Sequence, residues 1–208
     1  MKRLLTIGIL LLSGADAMAY EEPEYELLRS TDAYEVRRYA PYIVAEVEVE
    51  GSFRSAGNRA FRILAGYIFG DNQPQAKMNM TIPVESVDQG QKMNMTVPVE
   101  SRTADDGGEV TYTYAFVMER AYSMETLPRP NDERIRLVER PSRIMAVRPW
   151  SGSARESRYE KEKSALLSAL ESDGLTITGV PAFARFNGPM TPWFMKRNEI
   201  LVEIESDK

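Results

Sequence analysis

Residues 43–69 read IVAEVEVEGSFRSAGNRAFRILAGYIF and pass from one hydrophobic period to another within a few positions. Up to Glu50, apolar and acidic residues alternate, which is the period of a strand with one buried face. After a Gly-Ser pair, apolar residues recur at helical spacing and predict a helix from Phe53 to Phe69, with Ser52 as its N-cap. This order predicts an α+β unit in which the helix packs on a sheet.

A weaker copy of this unit lies 101 residues further along the chain. Residues 144–153 share their apolar start and their Gly-Ser end with residues 43–52. The echo predicts a second helix, roughly Ala154–Glu171. Its apolar stripe consists of Tyr159, Leu166, Leu167 and Leu170. Two βαββ-type halves in one domain predict an α+β fold, a distorted β-barrel or mixed sheet with two helices packed outside.

Further strand-like patterns surround these two units. They lie at Glu26–Leu28, Tyr34–Tyr39, Val110–Met118, Thr176–Phe186 and Glu199–Ile204. Pro128 and Pro130 predict a loop over Thr126–Asp132, in the middle of the domain.

The most specific feature of the chain is a tandem repeat, in which KMNMTIPVES at 77–86 recurs as KMNMTVPVES at 92–101. Nine of the ten positions are identical, and both copies are predicted to be strand-like, with each Pro at a sheet edge or a bulge. The Met residues at i and i+2 share one face of a strand and predict an apolar core stripe. Clustered thioethers also select Cu(I), so soft-metal binding is an alternative function. The Met-x-Met pairs concerned are Met78/Met80 and Met93/Met95.

The N-terminus carries the pattern of a cleaved secretory signal peptide over residues 1–19. Two basic residues precede an apolar run, and Ala17 and Ala19 fit the small-residue motif that signal peptidase reads. The run is far shorter than the roughly 20 residues that span a bilayer. We therefore expect export to the periplasm, cleavage before Tyr20, a single domain over residues 20–208 and no stable membrane insertion.

Composition excludes several classes of function. The sequence contains no His and no Cys, which rules out Cys/His nucleophiles, Ser-His-Asp triads, disulfides and thiolate or imidazole metal sites. A formal net charge of −5 gives the chain no electrostatic reason to bind nucleic acid. We expect a binding protein rather than an enzyme, because no spacing of Tyr, Glu or Arg marks a nucleophile–base pair.

Several motifs occur in a fixed order along the chain. They are the doubled M-T-x-P-V-E segment at 80–85 and 95–100, FVMERAYSMETLPRPND at 116–132, AVRPWSG at 146–152 and PMTPWFMKRNE at 189–199. Together these blocks resemble the SOUL haem-binding family, whose bacterial members often carry the first segment twice. The resemblance covers about residues 22–205.

The resemblance implies a barrel of two pseudo-symmetric halves that binds haem or another tetrapyrrole non-covalently in a shallow apolar groove, for buffering or transport. In the family this groove lies between the first helix and the loop of the C-terminal motif. Carried onto this sequence, the helix wall consists of Asn58, Phe61, Arg62, Ala65 and Phe69. The loop wall consists of Pro189, Met190, Trp193, Phe194 and Met195.

The helical pattern agrees with part of this assignment. Ala65 and Phe69 fall on the arc that should face solvent, and Arg62 lies one turn before them. An exposed aromatic ring near a cation suits a porphyrin edge and its propionate. The candidate cations for propionates are Arg62, Lys196 and Arg197.

Three questions stay open at this point. Without His or Cys the chain cannot supply a usual axial ligand to haem iron, so ligation by Met, Tyr or Lys and binding without ligation are both compatible with it. The groove could instead accept a non-haem small molecule or a protein partner. Arg197, Asn198 and Glu199 have a structural alternative, in which they tie the last strand into the sheet through hydrogen bonds.

Overall fold

A computed structural model describes residues 20–75, 90–104, 110–188 and 190–205 of the chain. Within these ranges the chain forms eleven strands, two α-helices and one 3₁₀ turn. In chain order they are β1 (Tyr25–Ser30), β2 (Glu35–Tyr39), β3 (Tyr42–Glu50), α1 (Phe53–Ile68), β4 (Asn72–Gln73), β5 (Val99–Ala104), β6 (Thr111–Val117), β7 (Arg129–Pro130), β8 (Arg136–Arg140), β9 (Arg143–Ser151), α2 (Glu156–Ser172), β10 (Ala182–Arg185), the 3₁₀ turn (Trp193–Met195) and β11 (Arg197–Glu203).

Nine of the described strands form one sheet in the order β1-β2-β9-β11-β10-β5-β6-β3-β8, and β4 pairs with β7 separately. Every described pairing is antiparallel. The order contains the same unit twice, β3-β6-β5 with α1 and β9-β11-β10 with α2, joined where β5 pairs with β10. The α+β fold of two βαββ-type halves is therefore confirmed, with an antiparallel sheet in place of a mixed one.

The two helices cover different strands of the sheet and leave a seam between them. α1 packs on β3 and β6, whereas α2 packs on β9 and β11. Ala56, Ala60 and Leu64 of α1 are fully buried at a spacing of four residues, against Val47 and its neighbours. The seam strands β5 and β10 lie between the two helix-covered regions.

The stripe predicted for the second helix packs as expected at most positions. Tyr159, Leu166 and Leu170 are buried in the core beneath α2, and Leu167 is half-buried. Glu162 is also buried in this helix, because its carboxylate accepts a hydrogen bond from Arg148 of β9 at 2.7 Å.

We call the face of the sheet on which the helices pack the outer face, and the opposite face the inner face. The inner face buries charged side chains as well as apolar ones. Val44, Val147 and Leu201 belong to one buried cluster on this face. Glu199 is fully buried there and accepts hydrogen bonds from Nη1 and Nη2 of Arg37 at 2.9 and 3.2 Å. On the outer face, the Asn198 side chain donates to a backbone carbonyl at the end of β9, 3.1 Å away. Both contacts tie β11 into the sheet, as the structural alternative expects.

Several predicted elements differ in the structure. The second repeat copy is irregular before Val99, where β5 begins, so its predicted strand is wrong over Met93–Pro98. The strand predicted over Thr176–Phe186 shortens to β10, because Ile177 makes only an isolated bridge to Ile204. Ser52 precedes α1 but makes no capping hydrogen bond through its side chain.

Two further expectations meet the structure only in part. The predicted central loop contains β7, and β8 follows it as a strand that the pattern did not predict. The predicted signal peptide and the first repeat copy lie outside the described residues. No helix in the described part of the chain is long and apolar enough to cross a membrane.

Candidate functional site

Large apolar side chains are exposed on two neighbouring parts of the outer surface. On α1 and its C-cap, Phe61 and Phe69 have exposed fractions of 44% and 59%. On the loop before β11, Trp193 is 68% exposed, and Met190, Phe194 and Met195 are similarly open. Clustered exposed apolar side chains mark a ligand or partner site more often than scattered single residues do, and on the loop the Trp193 and Phe194 rings contact each other with centroids 5.9 Å apart. These six residues are all members of the predicted walls.

The α1 wall is the edge of the helix that faces the seam. The Phe61 ring packs edge-on against Phe116 of β6, with ring centroids 5.5 Å apart. Ala65 is buried one turn later, and Phe69 lies two turns beyond Phe61, about 12 Å along the helix. Arg62 is exposed, and its Nε donates to the backbone carbonyl of the exposed Asn58 at 3.3 Å. The helix wall is thus apolar, with one cation on its outer rim.

The loop wall is held in place by hydrogen bonds at its base. The backbone N–H of Arg197 donates to the Asn187 side chain at 2.6 Å, which joins the two ends of the loop. The Gly152 N–H donates to the carbonyl of Lys196 at 3.1 Å. A Cβ placed on Gly152 would lie 3.9 Å from the Trp193 ring, so the indole lies over the turn after β9. The loop is therefore anchored beside the seam while its apolar side chains stay exposed.

The floor between the walls is a row of residues that face each other across adjacent strands. Phe116 of β6 pairs with Val99 of β5, Val99 pairs with Arg185 of β10, and Arg185 pairs with Asn198 of β11. Three strand spacings separate the ends of this row, a width of about 14 Å. We call the space bounded by this floor, Phe61 and Trp193 the seam groove. A trough of this width suits a flat ring system.

Aromatic side chains close one end of the seam groove. Phe183 precedes Arg185 by two residues and therefore shares its face of β10. Its ring stacks on Phe53 of α1 and on Trp150 of β9, at 6.4 and 5.4 Å between centroids. Tyr159 of α2 completes the cluster, 5.2 Å from Phe183. The open part of the groove therefore begins at Arg185.

Arg185 is a partly exposed cation at this boundary. Its guanidinium carbon lies 5.9 Å from the ring centroid of Tyr114 and 5.7 Å from that of Phe183. The Nε atom is buried and has no hydrogen-bond partner in the described part of the chain. Burial lowers the pKa of this guanidinium, and the nearby Tyr114 only partly offsets that effect.

Not every predicted residue faces the seam groove. Arg197 lies on the inner face, where Nη1 contacts both carboxylate oxygens of Glu22 at 3.0 Å and Nη2 donates to Glu199 at 2.9 Å. The charge and hydrogen bonds of both carboxylates outweigh the effect of burial and raise the pKa of Arg197. Arg197 is therefore already paired and does not line the groove. Pro189 lies outside the described residues.

Two concave regions lie elsewhere in the described part of the molecule. One of about 300 Å³ opens on the inner face and is lined by Glu100, Arg102, Arg140, Arg143 and Glu203, among others. A second, of about 610 Å³, lies beside the N-terminal segment 22–26. Charged side chains line the first cavity, which therefore suits water better than an apolar ring. Neither cavity includes a residue of the seam groove, which is an open trough rather than an enclosed pocket.

Metal ligands are not gathered in the described part of the chain. It holds no group of three or more His, Cys, Asp or Glu side chains that could bind a metal ion. Met93 is buried in the core beneath α1, and Met95 packs on the same cluster. These two thioethers therefore behave as core side chains, while Met78 and Met80 lie outside the described residues.

The sequence interpretation missed the floor of the groove. Val99 and Phe116 belong to the motif blocks at 95–100 and 116–132, but the sequence assigns no place in the groove to them or to Arg185. One signal was present, because Arg185 is the only charged residue in the apolar run AFARF at 182–186.

Comparison of the sequence with known proteins gives matches over most of the chain. The family model described as SOUL heme-binding protein matches residues 20–203. Heme-binding protein 2 of Homo sapiens is 25% identical over 205 residues, which cover 92% of this chain and 93% of that protein. Heme-binding protein 2 of Mus musculus is 24% identical over 204 residues, with coverage of 91% and 93%.

Solved structures share the fold at low sequence identity. The EcmrR C-terminal domain superposes with a TM-score of 0.59 at 12% identity, covering 88% of this chain and 99% of that one. A protein from Listeria innocua described as a hydrolase has a TM-score of 0.53 at 13% identity, with coverage of 86% and 94%. At these identities the likeness concerns the fold alone.

Proposed function

Because the chain belongs to the SOUL haem-binding family, we propose that it binds haem or a related tetrapyrrole non-covalently in the seam groove. The observation that carries this proposal is the pair of exposed apolar walls on either side of a strand seam at which Val99 and Arg185 keep partial exposure. Phe61 and Trp193 stand on opposite sides of a floor about 14 Å wide, where a flat ring can contact both. Burial of an aromatic side chain contributes about 1.5–3 kcal/mol, so two such contacts supply about 3–6 of the roughly 8 kcal/mol that micromolar binding requires, and further contacts of the ring must supply the rest.

The residues present fit the organic part of haem better than its iron. The groove offers aromatic rings to the porphyrin faces and a cation to a carboxylate, but the sequence has no His or Cys. Among the exposed loop residues, Met190 and Met195 carry the soft atoms that could approach iron. Haem supplies redox chemistry when it is bound, whereas this chain's own side chains orient the ring and shield its faces from water.

We propose buffering or transport as the role, rather than catalysis. The groove is an open trough, so a ligand can enter and leave without a large movement of the walls. The side chains that face it are apolar rings, thioethers, an amide and an arginine, and none of these forms a nucleophile–base pair with a neighbour. An open site that binds a tetrapyrrole without reacting with it is suited to buffering or transport.

We also propose that the protein acts in the periplasm, from the signal-peptide pattern of residues 1–19. Expression of the full chain in a Gram-negative host should give a mature protein in the periplasmic fraction, beginning at Tyr20. A protein that keeps residues 1–19 and stays with the cytoplasmic fraction would contradict this part of the proposal.

The test of the binding proposal is a haemin titration of residues 20–208, followed by the Soret band and by tryptophan quenching. We expect saturable one-to-one binding at micromolar haemin. Trp193→Ala and Phe69→Asp should each weaken it about tenfold or more, since each removes an apolar contact. Leu27→Asp, at a comparably exposed position on β1, is the matched control and should bind like the wild type. Non-saturating binding that ignores both groove substitutions would overturn the proposal.

A further inference from the structure

Arg185 differs from the other described arginines whose Nε is buried without a partner. Arg140 and Arg143 share this feature, but other atoms of their guanidinium groups are bonded to Glu46 and to Tyr42. For Arg185 the described contacts are two aromatic rings, and no carboxylate acts on its pKa. A charge withdrawn from water without a counter-charge is unfavourable, so such a group calls for an explanation.

The position of Arg185 supplies that explanation. It lies on β10 at the seam between the two halves, directly opposite Val99 on one side and Asn198 on the other. Toward α1 the row continues through Val99 to Phe116 and the Phe61 ring. Toward the loop it continues through Asn198, whose amide donates to the Gly152 carbonyl under Trp193. Arg185 therefore stands midway between the two walls.

The cation is held in place and remains accessible. The rings of Phe183 and Tyr114 flank the guanidinium from the neighbouring row of the sheet, where Ser101 of β5 pairs with both residues. The residue as a whole keeps partial exposure although its Nε is buried. A ligand lying in the groove can thus reach the guanidinium, which is planar and suited to gripping a carboxylate with two hydrogen bonds.

We propose that Arg185 is the carboxylate anchor of the seam groove and binds a propionate of the tetrapyrrole. This inference rests on the proposed function and adds a specificity to it. The site selects flat ligands that carry a carboxylate on one edge. The anchor lies on the floor of the groove, whereas Arg62 lies on its rim and Arg197 is paired on the inner face. In this arrangement the carboxylate edge points down toward β10 and the ring rises between Phe61 and Trp193.

The experiment compares protoporphyrin IX with its dimethyl ester, which has the same ring without free carboxylates. The wild type, Arg185→Gln and Arg185→Lys are titrated with both, and Arg59→Gln is the control at an exposed arginine of α1. We expect Arg185→Gln to weaken binding of the free acid about tenfold or more and to leave the ester within about twofold of the wild type. Arg185→Lys should lose less, and Arg59→Gln should change neither.

The outcomes distinguish a failure of the proposed anchor from a failure of the proposed function. If the wild type binds both porphyrins and Arg185→Gln weakens both equally or neither, the anchor is wrong and the proposed function stands. If the wild type binds neither porphyrin, the proposed function falls and the anchor falls with it. A melting curve of ligand-free Arg185→Met gives a second readout. An unchanged or higher melting temperature agrees with a cation kept for a ligand, and a clear decrease indicates a structural role and contradicts the anchor.

Discussion

The two faces of the nine-stranded sheet differ in the partners of their buried arginine side chains. On the inner face, Arg37 donates to both oxygens of Glu199, to Glu35 and to the Tyr39 hydroxyl. Burial alone would lower the pKa of Arg37, but the charge and hydrogen bonds of Glu199 outweigh it and raise that pKa. On the outer face, Arg185 meets two aromatic rings and no carboxylate in the described part of the chain.

This difference separates charges that hold strands together from a charge that is available to a ligand. The inner pairs join residues far apart in sequence, such as Arg37 on β2 and Glu199 on β11, two strands away across β9. Each partner satisfies the other, so nothing from outside the chain is needed. Arg185 carries the same guanidinium group without a described carboxylate partner, on the seam between the strands that the two helices cover.

The largest effect is expected from breaking an inner pair. Glu199→Ala leaves Arg37 buried with its main partner removed, and we expect a loss of about 3–5 kcal/mol in the free energy of unfolding, measured with urea. The double variant Arg37→Met/Glu199→Leu should regain most of that stability, because Arg197 keeps Glu22 as its partner and the Glu35 carboxylate, which also loses Arg37, is only partly buried. A loss below about 1 kcal/mol for the single variant would show that the pair is not what holds β11.

A second prediction concerns an ion pair introduced on the outer face of the sheet. Val99→Asp places a carboxylate on β5 directly opposite Arg185, with Cβ atoms about 5 Å apart. A double-mutant cycle with Arg185→Gln should show a favourable coupling of about 1.5–2 kcal/mol in urea unfolding. Val99→Asp should also weaken binding of free-acid porphyrin, because the cation is then neutralised. Val99→Asn is the control, and coupling as large for Asn as for Asp would contradict the assignment.

A third prediction concerns Tyr159, another outer-face group, in the cluster that closes the groove. Burial, with added effects from Glu160 and Tyr112, raises the pKa of Tyr159 to about 12. An unfolded tyrosine ionises near pH 10, so above this pH the unfolded state loses a proton that the folded state keeps. The contribution of Tyr159 to stability is therefore full below pH 10 and is lost as the pH rises toward 12.

The test is urea unfolding of the wild type and Tyr159→Phe at pH 8 and pH 11. The free energy of unfolding of the wild type should decrease by about 1 kcal/mol more than that of the variant over this interval. An identical decrease in both proteins would show that the Tyr159 hydroxyl ionises in the folded protein at an ordinary pH.

The smallest effect should come from removing the iron. Since the chain has no His or Cys, most of the affinity should come from the porphyrin ring and its carboxylate. Haemin and iron-free protoporphyrin IX should therefore bind within about threefold of each other, a difference of less than about 1 kcal/mol. Haemin binding more than about thirtyfold tighter would reveal an iron ligand, and Met190→Leu and Met195→Leu would then identify it.

The hydrophobic pattern of the sequence predicted those elements whose structure depends on their own residues. The alternation in β3 and the helical spacing of α1 each report on a single element, and both elements appear close to the predicted bounds. Strand β8 and the short β10 were missed or misjudged, because their pairing depends on distant partners such as Tyr42 and Leu201. The two walls of the proposed groove were predicted from the motif resemblance rather than from a local pattern.

The floor could not be predicted because it depends on the register between strands. Val99, Arg185 and Asn198 become neighbours only when β5, β10 and β11 align, although they are far apart in the sequence. Arg197 shows that neighbours in the sequence can likewise be separated in the structure. It is one residue from Asn198, and since side chains alternate along a strand it faces the opposite side of the sheet.

The most direct measurement is an NMR map of the backbone amides of residues 20–208 during titration with protoporphyrin IX. We expect saturable shifts at both walls and at the floor, including Phe61, Trp193 and Arg185, and none at Arg143 and Glu203 of the inner cavity. Shifts confined to the inner cavity, or an absence of saturable shifts at the walls, would contradict binding in the seam groove.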